Sequence, residues 1–315
     1  MLNYTDLHQR AEKQLDFAPY SPRLLVLIHT AVSLGASLLM AIVNVLFASL
    51  IENTGGLGGL GTRSILETAQ AVLELAVTLA LPFWNISLVR AALNWARGEY
   101  AAPTTLLEGF RLFRPILRMF ILLLAIFVVL GIALSQISAM LFMFTPFADP
   151  LMTALEPLMQ DAGYFSPDLL LTEEAIAQVG SAIIPYFVFF GVLFALVAIP
   201  VWYRIRFADY AVMDEGRARA ALLTSLRITK GRCLQVLKID LRFWWFYLLQ
   251  ALSVALCYGD SILPALGIAL PMSAEAAYIT FMALGVICQG LLLWYYQAKV
   301  SVTYALAYEE LKPEN

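Results

Sequence analysis

The sequence predicts an all-α protein that crosses a membrane several times, and three observations carry that prediction. The chain of 315 residues is 61% hydrophobic and only 14% charged, far from the composition of a soluble domain. Its apolar residues come in runs long enough to cross a ~30 Å hydrocarbon layer as helices. Its basic residues are gathered between alternate pairs of those runs, which is the charge signature of loops on one side of a membrane. The small net charge of -3 hides this segregation and gives no sign of a nucleic-acid partner.

Six spans are expected, at about 23–51, 65–95, 115–147, 174–214, 232–259 and 273–308, all within one membrane domain covering 1–315. The opening LHQRAEKQL places Leu7, Ala11 and Leu15 on one helical stripe with charged residues elsewhere, the pattern of a helix lying on a membrane surface. It lacks a signal peptide's apolar core and cleavage site, so the first span is expected to stay in the mature chain. Ser21-Pro22 supplies a cap and a first-turn proline for that span. Asn53–Gly61 is glycine-rich but lacks the Lys-Ser/Thr ending of a phosphate-binding loop, and reads as a flexible outer loop.

The second span ends at Gly98, where a left-handed cap is expected. Thr105 and Glu108 then have the spacing of a capping box for a short amphipathic helix, TLLEGFRLF. Arg111, Arg114 and Arg118 mark the start of the third span. Asp149–Glu174 carries six acidic residues and no lysine or arginine, which puts it on the opposite side. Within it PLMTALEPLM reads as a second surface helix, too short to cross. Thr172 caps the fourth span, Gly216 ends it, Gly231 closes a short helix ARAALLTSLRI, and Ser273 caps the sixth. Trp294, Tyr295 and Tyr296 form an interfacial aromatic belt.

With six spans both ends of the chain share a side, and every lysine and arginine except Arg63 lies on or near it. The positive-inside rule makes that side cytoplasmic and the membrane a cell membrane. Pro82-Phe83-Trp84 with Gly98 repeats as Pro200-Val201-Trp202 with Gly216 at one offset. Either a three-hairpin parallel repeat or shared capping needs accounts for that match.

Two constellations are candidate sites. The second span carries a polar stripe, Glu67, Gln70, Glu74, Thr78 and Asn85, which is costly against lipid and is expected to face Thr30, Ser33, Ser37 and Asn44 of the first span. It serves either a solute path or helix-to-helix hydrogen bonding. The second is a charge cluster at the inner ends of the fourth and fifth spans: Arg204, Arg206, Asp209 and Asp240. Asp240 lies between Lys238 and Arg242, whose long stems reach the headgroups. The short aspartate is expected to turn inward towards Arg204 or Arg206.

Neither His8 nor His29 has an acid partner in its own motif, and Cys233, Cys257 and Cys288 have no metal-ligand spacing. No catalytic residue, metal site or cofactor is expected. The partners expected are the bilayer itself and its anionic headgroups at the cytoplasmic face.

The chain resembles a bacterial integral-membrane family, domain of unknown function 975, through LHQRAEKQL, YRIRFADYAVMDE, ALLTSLRITKGR, KIDLRFWW and YYQAKVSVTYALAYEEL. Ser225, Lys230 and Gly231 fit the family's Ser-to-Lys-Gly stretch. Phe243-Trp244-Trp245-Phe246 departs from its glycine-containing turn. More distantly it resembles the membrane region of glycerophosphodiester phosphodiesterases. The resemblance implies six spans and brings no reaction, substrate or cofactor. The expected function is therefore a non-enzymatic membrane scaffold or assembly factor. The alternatives are a transporter or channel for a small solute, or a membrane accessory domain to a lipid-related enzyme.

Overall fold

The computed structural model describes residues 3–16, 21–53, 59–160, 173–265, 267–268 and 271–312. Residues 54–58 of the loop expected at 53–61, the acidic residues Asp161 and Asp168, and the Thr172 cap lie outside the described residues. The chain forms two compact units, one of residues 1–117 and 206–315, the other of residues 118–205.

Helices make up the described chain and no strand occurs among the described residues. They are α1 (Tyr4–Asp16), α2 (Pro22–Asn53), α3 (Gly59–Ala96), a 3₁₀ turn (Pro103–Leu107), α4 (Glu108–Arg111), α5 (Phe113–Phe142), α6 (Ala148–Gln160) and α7 (Glu173–Ile205). After these come α8 (Ala208–Glu215), α9 (Ala218–Ile228), α10 (Cys233–Arg242), α11 (Trp244–Cys257), α12 (Gly259–Ala265) and α13 (Ala274–Leu311).

Five stretches among the described residues are long and apolar enough to cross a membrane: Pro22–Ile51, Arg63–Ala96, Phe113–Phe142, Gly180–Glu215 and Ala276–Leu311. Their exposed side chains are those of a lipid-facing surface, with Leu38 at 61%, Val45 at 69% and Val129 at 66% of full exposure. The protein is all-α and polytopic. Where a fifth span is expected at 232–259, the chain forms two helices that part at Phe243. The first, α10, is amphipathic; the second, α11, has 14 residues, about 21 Å at helical rise. It is thus shorter than a single crossing, and apolar sequence continues into α12. The fourth expected span likewise divides, α7 stopping at Ile205 and α8 starting at Ala208. The expected outer loop is shorter than predicted, because α3 already begins at Gly59.

In the first unit α13 is the hub, touching α1, α2, α3, α11 and α12. Its C-terminal end is the driest part: Ser301 to Tyr308 are all buried, as are Ala91–Ala96 of α3 and Phe207, Ala208 and Tyr210–Met213 around the start of α8. Helix α1 docks Leu7 and Ala11, both 0% exposed, onto α13. Its apolar stripe therefore meets protein as well as any membrane surface. In the second unit Ser138 of α5 lies 3.4 Å from the Tyr186 hydroxyl of α7, and Phe142 meets the Tyr186 ring edge-on at 5.4 Å. The expected second surface helix is α6, which packs on α7.

Gly98, Gly216 and Gly231 all have positive φ, at 73°, 68° and 71°, and stop their helices as expected. Ser273 caps α13 by accepting from the Ala276 amide at 3.3 Å. The capping box expected at Thr105 and Glu108 does not form: the caps of this stretch are Ala102 and Leu107, neither with a side-chain bond. Thr105 is instead buried in the 3₁₀ turn, and the Glu108 carboxylate lies 3.1 Å from Arg90 of α3. The long-range ion pair outcompetes the local cap. Gly109 completes this contact, donating its amide to Ser87 Oγ at 2.9 Å. A Cβ there would fall 2.0 Å from the Phe83 carbonyl oxygen, so only glycine lets α4 approach α3 this closely.

Candidate functional site

Beside the breaks in the fourth and fifth expected spans, charged and tyrosyl side chains lie against the C-terminal end of α13. Asp240, on the last turn of α10, lies 3.9 Å from an Arg206 guanidinium nitrogen. It also accepts from the Tyr247 hydroxyl of α11 at 3.0 Å and from the Tyr304 hydroxyl of α13. The Arg206 guanidinium stacks 4.6 Å above the Tyr304 ring, so one tyrosine binds the anion through its oxygen and the cation through its face. Tyr210, buried one turn further on, donates to the Ser301 carbonyl at 3.4 Å.

A second knot lies next to the first along α13. Arg97, just beyond α3, reaches Glu309 at 2.9 Å and Asp214 of α8 at 2.9 Å. Asp214 also pairs with Lys312 at 2.5 Å and accepts from the Tyr308 hydroxyl at 3.4 Å. The Tyr308 ring stacks on Tyr210 with centroids 5.9 Å apart, and Phe207 sits 6.0 Å from Tyr308 and 6.5 Å from Tyr304. These rings lie between the two charge knots and shield part of each, whose side chains remain 16–31% exposed.

The chain break that creates the site also leaves a backbone donor to satisfy. The Phe207 amide donates to Ser225 Oγ of α9 at 3.2 Å, and Thr229 Oγ1 donates back to the Ser225 carbonyl at 2.7 Å. Ser225 is fully buried, which gives that position its physical role.

Of the predicted inner-end cluster, Arg206 and Asp240 come together, and Asp209 is half-buried on the turn after Arg206. Arg204 falls in the second unit. Of the predicted polar stripe on α3, Gln70 alone reaches α2: its amide donates to Asn44 at 3.3 Å and to Glu74 at 3.2 Å. Glu67 is exposed and paired with Arg63 on its own helix at 2.8 Å. Thr78 and Asn85 are exposed. Of the first-span residues expected opposite, Thr30 is buried, while Ser33 and Ser37 bond back to carbonyls of their own helix. His29 is buried and stacked on Trp84 at 5.5 Å, whose indole N–H donates to the His29 carbonyl at 3.0 Å. Among the described residues no group of three or more His, Cys, Asp or Glu could hold a metal ion.

The Arg97 knot escapes sequence reading because its members are scattered across three elements, and no spacing rule joins residues 97, 214 and 309. The tyrosine-rich close of the chain is the one available signal, since tyrosines on an otherwise apolar helix mark where hydroxyl partners are needed. Comparison with protein-family models, curated proteins and solved structures finds no match to this chain. The fold and the site together define a class, the all-helical multi-pass membrane proteins. They also show a part-buried latch of tyrosines and ion pairs at the end of α13.

Asp240→Asn keeps an oxygen for both tyrosines but removes one counter-charge of Arg206 in a partly buried site. It should cost about 2 kcal/mol, against about 1 kcal/mol for Tyr247→Phe. The loss should be sub-additive with Arg206→Met when unfolding is followed in detergent. Full additivity would show that Arg206 and Asp240 do not interact.

The docking of α1 should depend on pH. Burial, and then the Lys299 and Arg242 charges, lower the His8 pKa from its ordinary 6.5, while Glu12 opposes them. The folded state then binds fewer protons than the unfolded one, so this contribution is full above pH 6.5 and fades as the pH falls towards the lowered value. Glu12, lowered from 4.5 chiefly by its hydrogen bond from Lys299, adds a loss of the same sign at lower pH. Hydrogen exchange should show α1 amides opening more readily at pH 5.5 than at pH 7.5. His8→Gln should flatten that step; if it does not, another group titrates there.

Proposed function

We propose that this chain is a non-enzymatic scaffold or assembly factor of a bacterial cytoplasmic membrane, with its basic loops on the cytoplasmic side. One observation carries the reading. The polar and charged groups that a solute path or reaction centre would need are engaged with one another: Glu74 with Gln70, Asp240 with Arg206 and two tyrosines, and Asp214 with Arg97 and Lys312. The ion pairs and tyrosine bonds tie the ends of α3, α8, α10 and α13 together, and Gln70 links α3 to Asn44 of α2. The orientation follows from Arg217, Arg219, Arg227, Lys230 and Arg232, clustered on and beside α9.

Solute flux in proteoliposomes tests the scaffold reading. Wild-type and Glu74→Gln protein should both match protein-free vesicles for small cations and amino-acid-sized solutes. The variant should lose no more than about 0.5 kcal/mol of stability, because the bond of Glu74 to Gln70 lies within α3. Flux that requires Glu74 would replace the scaffold with a transporter.

Orientation is tested separately in a chain lacking Cys233, Cys257 and Cys288. A cysteine placed at Arg217 should resist an impermeant maleimide on intact cells, and one at Asp260 should react. Labelling at position 217 from outside would reverse the topology.

A further inference from the structure

The parting of α10 from α11 at Phe243 opens a cavity of about 320 Å³ between that break, α1 and α13. Its charged and titratable lining is His8 of α1, Arg242 of α10 and Lys299 of α13, and its apolar lining includes Phe243, Trp244, Trp245 and Tyr296. We propose that this cavity is a specific site for one phosphate-bearing headgroup of an anionic phospholipid.

Three features of the cavity fit that ligand. First, its charge is of one sign. The acidic residue nearest to it, Glu12, pairs with Lys299 and lies outside its lining, while Asp240, two residues before Arg242, is held by Arg206 and tyrosines. Lys299 has three ammonium hydrogens, of which Glu12 takes one. Arg242 is exposed and offers a planar fork of donors suited to phosphate oxygens. The lowered proton affinity of His8, to which burial contributes most and Lys299 and Arg242 add, reports the same positive field.

Second, the aromatic lining is placed for a lipid. Trp245 packs edge-on against Tyr296 at 4.5 Å, forming a wall, and Trp244 is 60% exposed at the start of the apolar helix α11. Tryptophan and tyrosine at such a boundary sit at headgroup level. A headgroup in the cavity would thus leave its acyl chains beside α11, whereas a free phosphate would gain nothing from these rings.

Third, the cavity is built by tertiary structure. Leu7 and Ala11, fully buried, fix α1 on α13, and the His8 ring lies 6.1 Å from Phe243. The site therefore exists only when α1 is docked, and a headgroup bridging His8, Arg242 and Lys299 would tie three elements together. This goes beyond the scaffold reading and does not depend on it, since a transporter could hold the same lipid.

Titration of the purified full chain with phosphatidylglycerol, phosphatidylcholine and inorganic phosphate, with bound ligands counted by native mass spectrometry, tests the site. Wild type should retain one phosphatidylglycerol in preference to phosphatidylcholine. Arg242→Gln should weaken it about fivefold, the factor equivalent to ~1 kcal/mol per basic residue near a lipid surface. Arg219→Gln, an exposed arginine of α9, should leave it unchanged. Equal losses in the two variants would mean diffuse attraction, and no wild-type preference for phosphatidylglycerol would overturn the site whether or not the variants fold. Inorganic phosphate binding as well as the lipid would also overturn it, by assigning the cavity to a soluble anion.

Discussion

The first unit depends on one constraint: charges carried at the ends of apolar helices have to be neutralised by protein. Arg97, Arg206, Asp214, Asp240 and Glu309 are each a quarter to a third exposed or less on their side chains, too dry to remain single. Each is answered from another element, and α13 is party to both knots through Tyr304, Tyr308, Glu309 and Lys312. Paired burial of this kind adds little net stability, because desolvation offsets most of the attraction. Its effect is selective, since any other register of α13 would strand several charges at once.

The helix breaks serve the same constraint. A continuous helix through 205–208 would carry Arg206 and Asp209 along a membrane span, and one through 242–244 would do so for Asp240 and Arg242. The helices end at those points, and Arg206, Asp214 and Asp240 lie beside the C-terminal end of α13. The cost is a freed backbone amide at Phe207, which Ser225 takes up. The stretches around Arg206, Ser225, Asp240 and Tyr304 meet here.

Much of this was legible in the sequence. Length and charge pattern gave the apolar helices, because a bilayer imposes a minimum run of uncharged residues. Gly98, Gly216, Gly231 and Ser273 marked helix ends, because left-handed backbone and an unpaired first-turn amide have few residue solutions. The inward turn expected of Asp240 followed from its short side chain between two long cations. The break at Phe243 was not legible, since KIDLRFWW reads as one amphipathic run entering an apolar one and nothing local stops it. The Thr105 cap was misread because Arg90 offers Glu108 a stronger partner from eighteen residues upstream. The exposure of Thr78 and Asn85 escaped notice because a wheel assigns a common face without saying how far along the helix a neighbour extends.

The position of α13 in the chain has a consequence for how the protein is made. Synthesis runs from the first residue to the last, so α1, α2, α3 and α8 leave the ribosome before the helix that answers their charges exists. Until then Arg97 and Asp214 can pair with each other and Arg206 with Asp240, but the partners from the end of the chain, Tyr304, Tyr308, Glu309 and Lys312, are missing. The contacts of α2 with α3 and of α3 with α8 can form in the meantime, but the first unit is complete only when Tyr304 to Lys312 arrive, after some two hundred further residues have been translated.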